Sequence, residues 1–298
     1  MAQPQDGEGP RLTSILVIGG ANLDIKAKSL APNHLGTSNP GTITTSPGGV
    51  ARNISHNLAR LGADVGLIAA IGTDPQGEAV LEATRAAGVD VSRILALAPA
   101  TGTYIAVLNP DGELVTAMSD MRAADMLTPD VVMQFEIDIL AATFVVADCN
   151  LPQKTLEIIA SVARNKLFIE PVSVPKSTKL AALLIQGEIF MASPNLDQIE
   201  SLTGTRDIFA GINALHKMGL SHVIAHAGAE GVFVSNGDDI EHVPAQPTDS
   251  IIDVTGAGDA AVAGLLFGLL QGDDLVTAAS FGQTLAGRVI ASSRSTLE

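Results

Sequence analysis

The sequence predicts an α/β fold with a central, mostly parallel sheet and helices on both faces. Three observations carry that expectation. Short apolar, β-branched runs alternate with helix-period segments through most of the chain, the pattern of repeated strand–helix units. The first run is continuously apolar, as expected of a strand buried on both faces. Hydrophobic residues make up 46% of the 298 residues, which is ample material for one large α/β domain or two smaller ones.

Residues 14–18 (SILVI) read as the first strand, ending at Gly19-Gly20. Residues 52–61 carry Ile54, Leu58 and Leu61 at helical spacing, and Gly62 stops the helix. A strand follows at 65–71, then a helix at 76–87 closed by Gly88. The rhythm continues with strand 143–147, helix 153–164, strand 167–169 and helix 179–185. Strand 189–192, helices 197–202 and 208–217, and strand 222–226 complete the alternation. Two regions break it. Residues 30–47 have no helical period and are rich in Thr, Ser, Asn, Pro and Gly. Residues 103–118 alternate about Asn109-Pro110-Asp111-Gly112, where Asp-Gly is a hairpin turn signal. Both read as β-structure projecting from the sheet edge, either a small lid or a plain surface hairpin.

The net charge of -15 repels nucleic acid and anionic lipid at long range, so neither is an expected partner. A bound phosphate then needs a local device: backbone amides, a helix N-terminus or a metal. The single cysteine, Cys149, allows no intrachain disulfide, and no apolar run approaches the length of a membrane span. The first 13 residues are polar and Pro/Gly-rich, which reads as a flexible tail without a signal core. A soluble cytoplasmic protein is the expectation.

Three motifs carry chemistry. Asp253-Val254-Thr255-Gly256-Ala257-Gly258-Asp259 precedes an apolar helix-forming run, so its Gly-rich turn sits at a helix N-terminus. Free amides and the positive dipole end make such a turn an anion site, and a carboxylate beside it is placed to accept a proton from an attacking hydroxyl. An ordinary turn capped by Asp253 or Thr255 is the structural alternative. Ser46-Pro47-Gly48-Gly49 opens the second helix of interest, with Asn53 one turn in to offer an amide to a ligand. Gly19-Gly20-Ala21-Asn22-Leu23-Asp24 follows the first strand, and ligands of open α/β sheets bind at the carboxyl ends of strands. An Asx-turn is the alternative there. There is no GxxxxGK[ST], no HRD or DFG, no glycine fingerprint after the first strand and no HExxH. P-loop enzymes, protein kinases, dinucleotide dehydrogenases and zinc hydrolases are thereby disfavoured.

In this order the three motifs resemble the signatures of the PfkB (ribokinase-like) carbohydrate kinases over residues 14–292. The resemblance implies a three-layer ribokinase-like fold with a small β-lid, the lid drawn from segments about 30–47 and 103–118 of a kinase domain spanning 14–298. It implies ATP, Mg²⁺ and, in many members, a monovalent cation such as K⁺. It assigns Asp259 as catalytic base and Gly256, Ala257 and Gly258 as the anion hole. Asn22, Asp24, Gly48, Gly49, Asn53 and Asn150 become the substrate-binding set. Asn195, Gly228, Gly231 and Thr255 fall on the nucleotide side, and Asp253 in the cation loop. Lid sheets of the family often pair between subunits, which implies a homodimer through the lid.

Finer features resemble the pseudouridine kinase branch: Ser38-Asn39-Pro40-Gly41, Asp120-Met121, Ala147-Asp148-Cys149-Asn150 and Glu170-Pro171-Val172-Ser173. That branch implies a nucleoside phosphorylated at its 5′ hydroxyl; ribose or another sugar or nucleoside is the alternative acceptor. The chain departs from the family where Gln198 replaces the Glu of Asn-x-x-Glu, a residue that helps organise Mg²⁺, with Asp197 or Glu200 as possible substitutes. That departure also leaves open a ligand-binding sensor that kept the fold and lost catalysis.

Overall fold

The structure is a computed structural model that describes residues 13–187, 189–248 and 250–298. Apart from Thr13, the tail expected at 1–13 lies outside the described residues. In chain order the strands are β1 (Ile15–Ile18), β2 (Asn22–Ser29), β3 (Gly41–Gly48), β4 (Val65–Gly72), β5 (Ile94–Ala98), β6 (Gly102–Leu108), β7 (Leu114–Asp120), β8 (Phe144–Asp148), β9 (Leu167–Glu170), β10 (Met191–Ala192), β11 (His222–His226), β12 (Val232–Ser235) and β13 (Ile240–Val243). The helices are α1 (Val50–Arg60), α2 (Pro75–Ala86), α3 (Pro129–Val132), α4 (Glu136–Ala141), α5 (Gln153–Ala163), α6 (Val174–Gln186), α7 (Leu196–Thr203), α8 (Ile208–Lys217), α9 (Ala257–Gln271) and α10 (Leu275–Ile290).

Nine strands form the main sheet in the order β13-β12-β11-β10-β9-β8-β1-β4-β5. Pairing is parallel from β11 to β5, and β12 and β13 add antiparallel at one edge. The central strand β1 shows why the sheet is a middle layer. Leu16 and Ile18 enter one core with Leu156 and Ile159 of α5, Leu180 of α6 and Leu215 of α8. Ile15 and Val17 enter the opposite core with Ile54 and Leu58 of α1, Val80 of α2 and Leu265 of α9. Successive strand residues point to opposite faces, so an unbroken apolar run supplies both cores at once.

A second sheet of four strands, ordered β3-β2-β6-β7, stands apart from the main sheet. The β6–β7 hairpin turns at the expected Asp-Gly: the Gly112 amide donates to Asn109 O at 2.9 Å, with Gly112 at φ 93°. Strand β2 lies where a ligand-bearing loop had been expected. Its Asn22, Asp24, Lys26 and Lys28 alternate with Leu23, Ile25 and Ala27, a period of two masked by the preceding diglycine. Strand β2 pairs antiparallel with β3, placing Asn22 opposite Gly48 and Asp24 opposite Ser46. It pairs parallel with β6, placing Asp24 opposite Tyr104. Among the described residues no helix is long and apolar enough to cross a membrane.

Candidate active site

Helix α9 is apolar on nearly every side and is buried from Ala260 to Leu266, as a helix inside the core must be. It therefore presents a fixed N-terminus. Gly256 caps it at φ 82° without a side-chain hydrogen bond, and a Cβ there would lie 2.0 Å from Ser295 O. Only glycine suits that combination of left-handed backbone and close approach. The turn before it is an Asx-turn: the Thr255 amide donates to Asp253 Oδ1 at 2.9 Å. Neither Asp253 nor Thr255 caps the helix itself; the Ala257 amide donates to Val254 O at 3.3 Å, and the amides that follow have no side-chain acceptor.

Those amides open into a cavity of about 550 Å³ lined by Gly256, Ala257, Gly258 and Asp259 at one end. Gly228, Gly231, Ala245, Ile251, Ala286 and Ile290 add small and apolar surface, and Ser193, Gln246, Thr248 and Gln283 add polar groups. The size and lining suit a nucleotide-sized molecule with its anionic end at the helix. Asn195 also lines it, but its Oδ1 accepts from the Gln198 amide at 2.9 Å while Gln198 Oε1 accepts from the Asn195 amide at 2.8 Å. The two residues form a capping box for α7, so Gln198 is engaged as a helix cap. Asp197 and Glu200 do not substitute in the cavity; both pair with Arg206 on the exposed face.

Asp259 lies in the first turn of α9 and accepts from Asn53 Nδ2 at 2.9 Å. Surrounding protein pushes its carboxyl up to about 7 by desolvation, and the charges of Asp148 and Asp24 add to this. It keeps a partly open side toward the cavity. A carboxylate near neutrality beside free helix amides is equipped to take a proton from a hydroxyl.

The residues expected to bind the acceptor are linked to one another, with Asn53 on Asp259 and Asp24 near enough for its charge to act there. Asn22 Nδ2 donates to Asp24 Oδ1 at 2.7 Å, and burial raises the Asp24 carboxyl above its usual value. A Cβ on Gly48 would lie 2.3 Å from Asp24 Oδ2, so the glycine makes room for that carboxylate. Gly49 starts α1 at φ 98°, with space for a Cβ denied by Gly20 O at 2.4 Å. The buried Asp148 holds these loops together, accepting from the amides of Gly20, Ala51 and Asn150 at 2.9, 3.1 and 2.9 Å. Asn150 Oδ1 in turn accepts from Lys176.

Asp253 has a partner of its own. Lys26 on β2 pairs with its carboxylate and reaches Thr255 Oγ1 at 3.3 Å. The second sheet thus supplies the positive charge at the position expected to face a monovalent cation.

Several site residues carried no sequence signal strong enough to single them out for the cavity. Glu170 lines it along with Asp259, half-buried and pushed up to about 8 by desolvation, with Ser193 and the Val172 amide as donors. Val172 sits at φ 68°, a conformation costly for a β-branched residue and found mainly where function demands it. His226 is pushed down to about 4 by burial and is therefore neutral, and its buried Nε2 has no partner among the described residues. Glu170 and Asp259 are the only acidic side chains among the described residues lining the cavity, and no group of three or more metal-ligating side chains occurs among the described residues. Glu170 fits Mg²⁺ arriving on nucleotide phosphates with a single protein carboxylate, and the lining does not form an all-protein cage.

An uncapped helix N-terminus, a neutral-range carboxylate beside it and a nucleotide-sized cavity define a small-molecule phosphotransferase with a ribokinase-like α/β fold. The pfkB family carbohydrate kinase model matches residues 12–297, and the chain belongs to that family. It is 35% identical to the uncharacterized sugar kinase YeiI of Escherichia coli (strain K12), covering 94% of this chain and 80% of that one. It is 34% identical to the pseudouridine kinase of the same organism, covering 90% and 88%. Among solved structures, a carbohydrate kinase from Agrobacterium tumefaciens is 36% identical, with a TM-score of 0.80 over 95% of this chain and 92% of that one. Arabidopsis thaliana ribokinase, solved with ribose and ATP, shares the fold at a TM-score of 0.82 and 21% identity, covering 95% and 94%. The chain is a sugar or nucleoside kinase of the PfkB family.

Proposed function

We propose that this kinase moves the γ-phosphoryl group of ATP to the 5′ hydroxyl of a nucleoside, with pseudouridine as the preferred acceptor. The carrying observation is Asp259, a carboxylate near neutrality set between the free amides of α9 and the Asn53 amide. The similarity to the E. coli pseudouridine kinase supports the acceptor; the equal similarity to YeiI is why the acceptor needs a direct test.

In this reading Asp24, Asn22 and Asn53 orient the acceptor with its hydroxyl toward Asp259. Asp259 takes the hydroxyl proton as the oxygen attacks the γ-phosphorus in line, and the bond from that phosphorus to the β,γ-bridging oxygen breaks to release ADP. The amides of Gly256, Ala257 and Gly258 receive the charge that develops on the transferred group. The apolar end of the cavity, near Gly228 and Gly231, takes the base of ATP. Glu170 and Asn195 would hold Mg²⁺, which would supply charge neutralisation. The four-stranded sheet acts as a lid that excludes water from the reaction. Its exposed Ile43, Ile105 and Met118 offer a surface for a second copy of the chain, and the cytoplasm is the expected location.

A coupled ADP-release assay with ATP and Mg²⁺ tests this, using pseudouridine, uridine, adenosine, ribose and fructose as acceptors. Turnover that prefers pseudouridine is the expected result. Turnover only with a free sugar removes the nucleoside assignment and keeps the kinase. Binding without turnover of any acceptor overturns the catalytic reading in favour of a sensor.

A further inference from the structure

A file of hydrogen bonds runs from residue 297 to the carboxylate of Asp259. Asn53 Nδ2 donates to Asp259 Oδ2 at 2.9 Å. Arg52 Nη1 meets Asn53 Oδ1 at 3.0 Å and also Pro47 O at 3.1 Å. Arg52 Nη2 meets His56 Nδ1 at 2.8 Å, and His56 Nε2 meets Leu297 O at 2.9 Å.

The guanidinium fixes the polarity of the whole file, because it has donors and no acceptor. Asn53 must turn its carbonyl oxygen to Arg52, so its NH₂ faces Asp259. His56 must accept at Nδ1, so its proton sits on Nε2 and points to the Leu297 carbonyl. The imidazole is therefore neutral, in keeping with the downward push to about 4 from burial and from Arg52.

Arg52 is 3% exposed and has no carboxylate in direct contact among the described residues. A buried charge without an ion partner is costly, and burial pulls it down to about 10. Nearby Asp24 and Asp259 offset part of that cost through space. Segment 295–297 is locked on both sides: Ser295 O packs against Gly256, and the Leu297 amide donates to Asn57 Oδ1 at 2.9 Å. One short segment thus touches the anion-hole turn at one end and the Asn53 file at the other.

We propose that Arg52 and His56 are positioning residues for the catalytic carboxylate, holding the Asn53 amide against Asp259 and anchored on the Leu297 carbonyl. The inference rests on the reading of Asp259 as the base. Arg52 acts in two ways: it orients the Asn53 donor, and its charge favours the ionised Asp259. The charged groups facing Asp259 are Asp24 on β2, Asp148 on β8, Glu170 on β9 and Arg52 on α1; those facing His56 are Arg52, Arg60 and Arg294.

The test compares full-length wild type, His56→Phe and His56→Gln. Phenylalanine keeps the ring and removes both hydrogen bonds, whereas glutamine keeps one acceptor and one donor. The first readout is the Asp259 carboxyl titration, followed by carbon-detected NMR on the free protein. His56→Phe is expected to raise its midpoint by roughly half a unit or more, with His56→Gln close to wild type. The second readout is kinetic: His56→Phe is expected to lower kcat on the order of tenfold or more, to leave the KM for ATP unchanged and to move the acid limb of kcat/KM to higher pH.

An unchanged Asp259 midpoint in folded His56→Phe overturns the proposal, as does equal damage from Phe and Gln. If His56→Phe fails to fold, Arg52→Lys replaces it. Lysine keeps the charge but loses the fork, so a kcat loss in that variant supports the proposal and wild-type kcat overturns it. Wild-type protein without turnover would remove the kinase reading, while the titration would still decide whether His56 acts on Asp259.

Discussion

At the scale of single residues, Asp259 carries two consequences of one environment. Burial raises its carboxyl from the usual 3.8 to about 7. As a base it must be ionised, so kcat/KM of the free enzyme is expected to rise with pH and level off above about 7, which a pH–rate profile checks. The same shift costs stability. The folded-state value lies above the unfolded one, so the folded protein holds the extra proton between these two values, and stability falls as pH rises through that window. Asp259→Asn is therefore expected to lose on the order of 10²- to 10⁴-fold in kcat. At pH 8 the same variant is expected to melt at a higher temperature than wild type, because it no longer confines a charge there. Melting curves at pH 5 and pH 8 separate the two effects, since the gain belongs to the higher pH.

At the scale of elements, the glycine turn before α9 separates what holds the fold from what meets the ligand. Gly256→Ala would force a left-handed φ and a clash with Ser295 O, and about 1–3 kcal/mol of destabilisation is expected by denaturant titration. A Cβ on Gly258 meets nothing within 4 Å, so Gly258→Ala is expected to fold with wild-type stability. Its added methyl would enter the cavity, so on the proposed function the effect is expected in the KM for ATP. The sequence already announced where this turn lies, because glycines directly before an apolar helix-forming run place it at a helix N-terminus. It also announced β1, whose unbroken apolar run needs two cores. It did not announce β2, where four polar residues alternate with small or modest apolar ones and look like a ligand loop. Nor did it disclose Arg52 and His56, since a helix-opening segment reads the same whether its polar residues face solvent or a buried amide. The motif at Glu170 was visible but its place in the cavity, like that of His226, was not: both lie at the ends of main-sheet strands, and only the assembled sheet brings them together.

At the scale of the molecule, the sheet divides the protein into two cores, and the site forms along the carboxyl ends of its parallel strands. A ligand that bridges α9, α7 and the β11 end clamps elements from both cores. ATP with Mg²⁺ is therefore expected to raise the melting temperature by several degrees, corresponding to about 2.7 kcal/mol at a hundredfold excess over Kd. ATP without Mg²⁺ is expected to do less. The lid obeys a different logic. Its two halves, β2–β3 and β6–β7, are each local pairs, but the β2–β6 seam joins Asn22 to Gly102, about eighty residues apart in sequence. Much of the intervening chain is α1, β4 and α2, which belong to the body. Closing that seam early would cost a long loop's worth of chain entropy, whereas closing it after the body has formed costs little. That sheet is thus expected to assemble late in folding, and whatever loosens α1 or β4 is expected to loosen the β2–β6 seam with it.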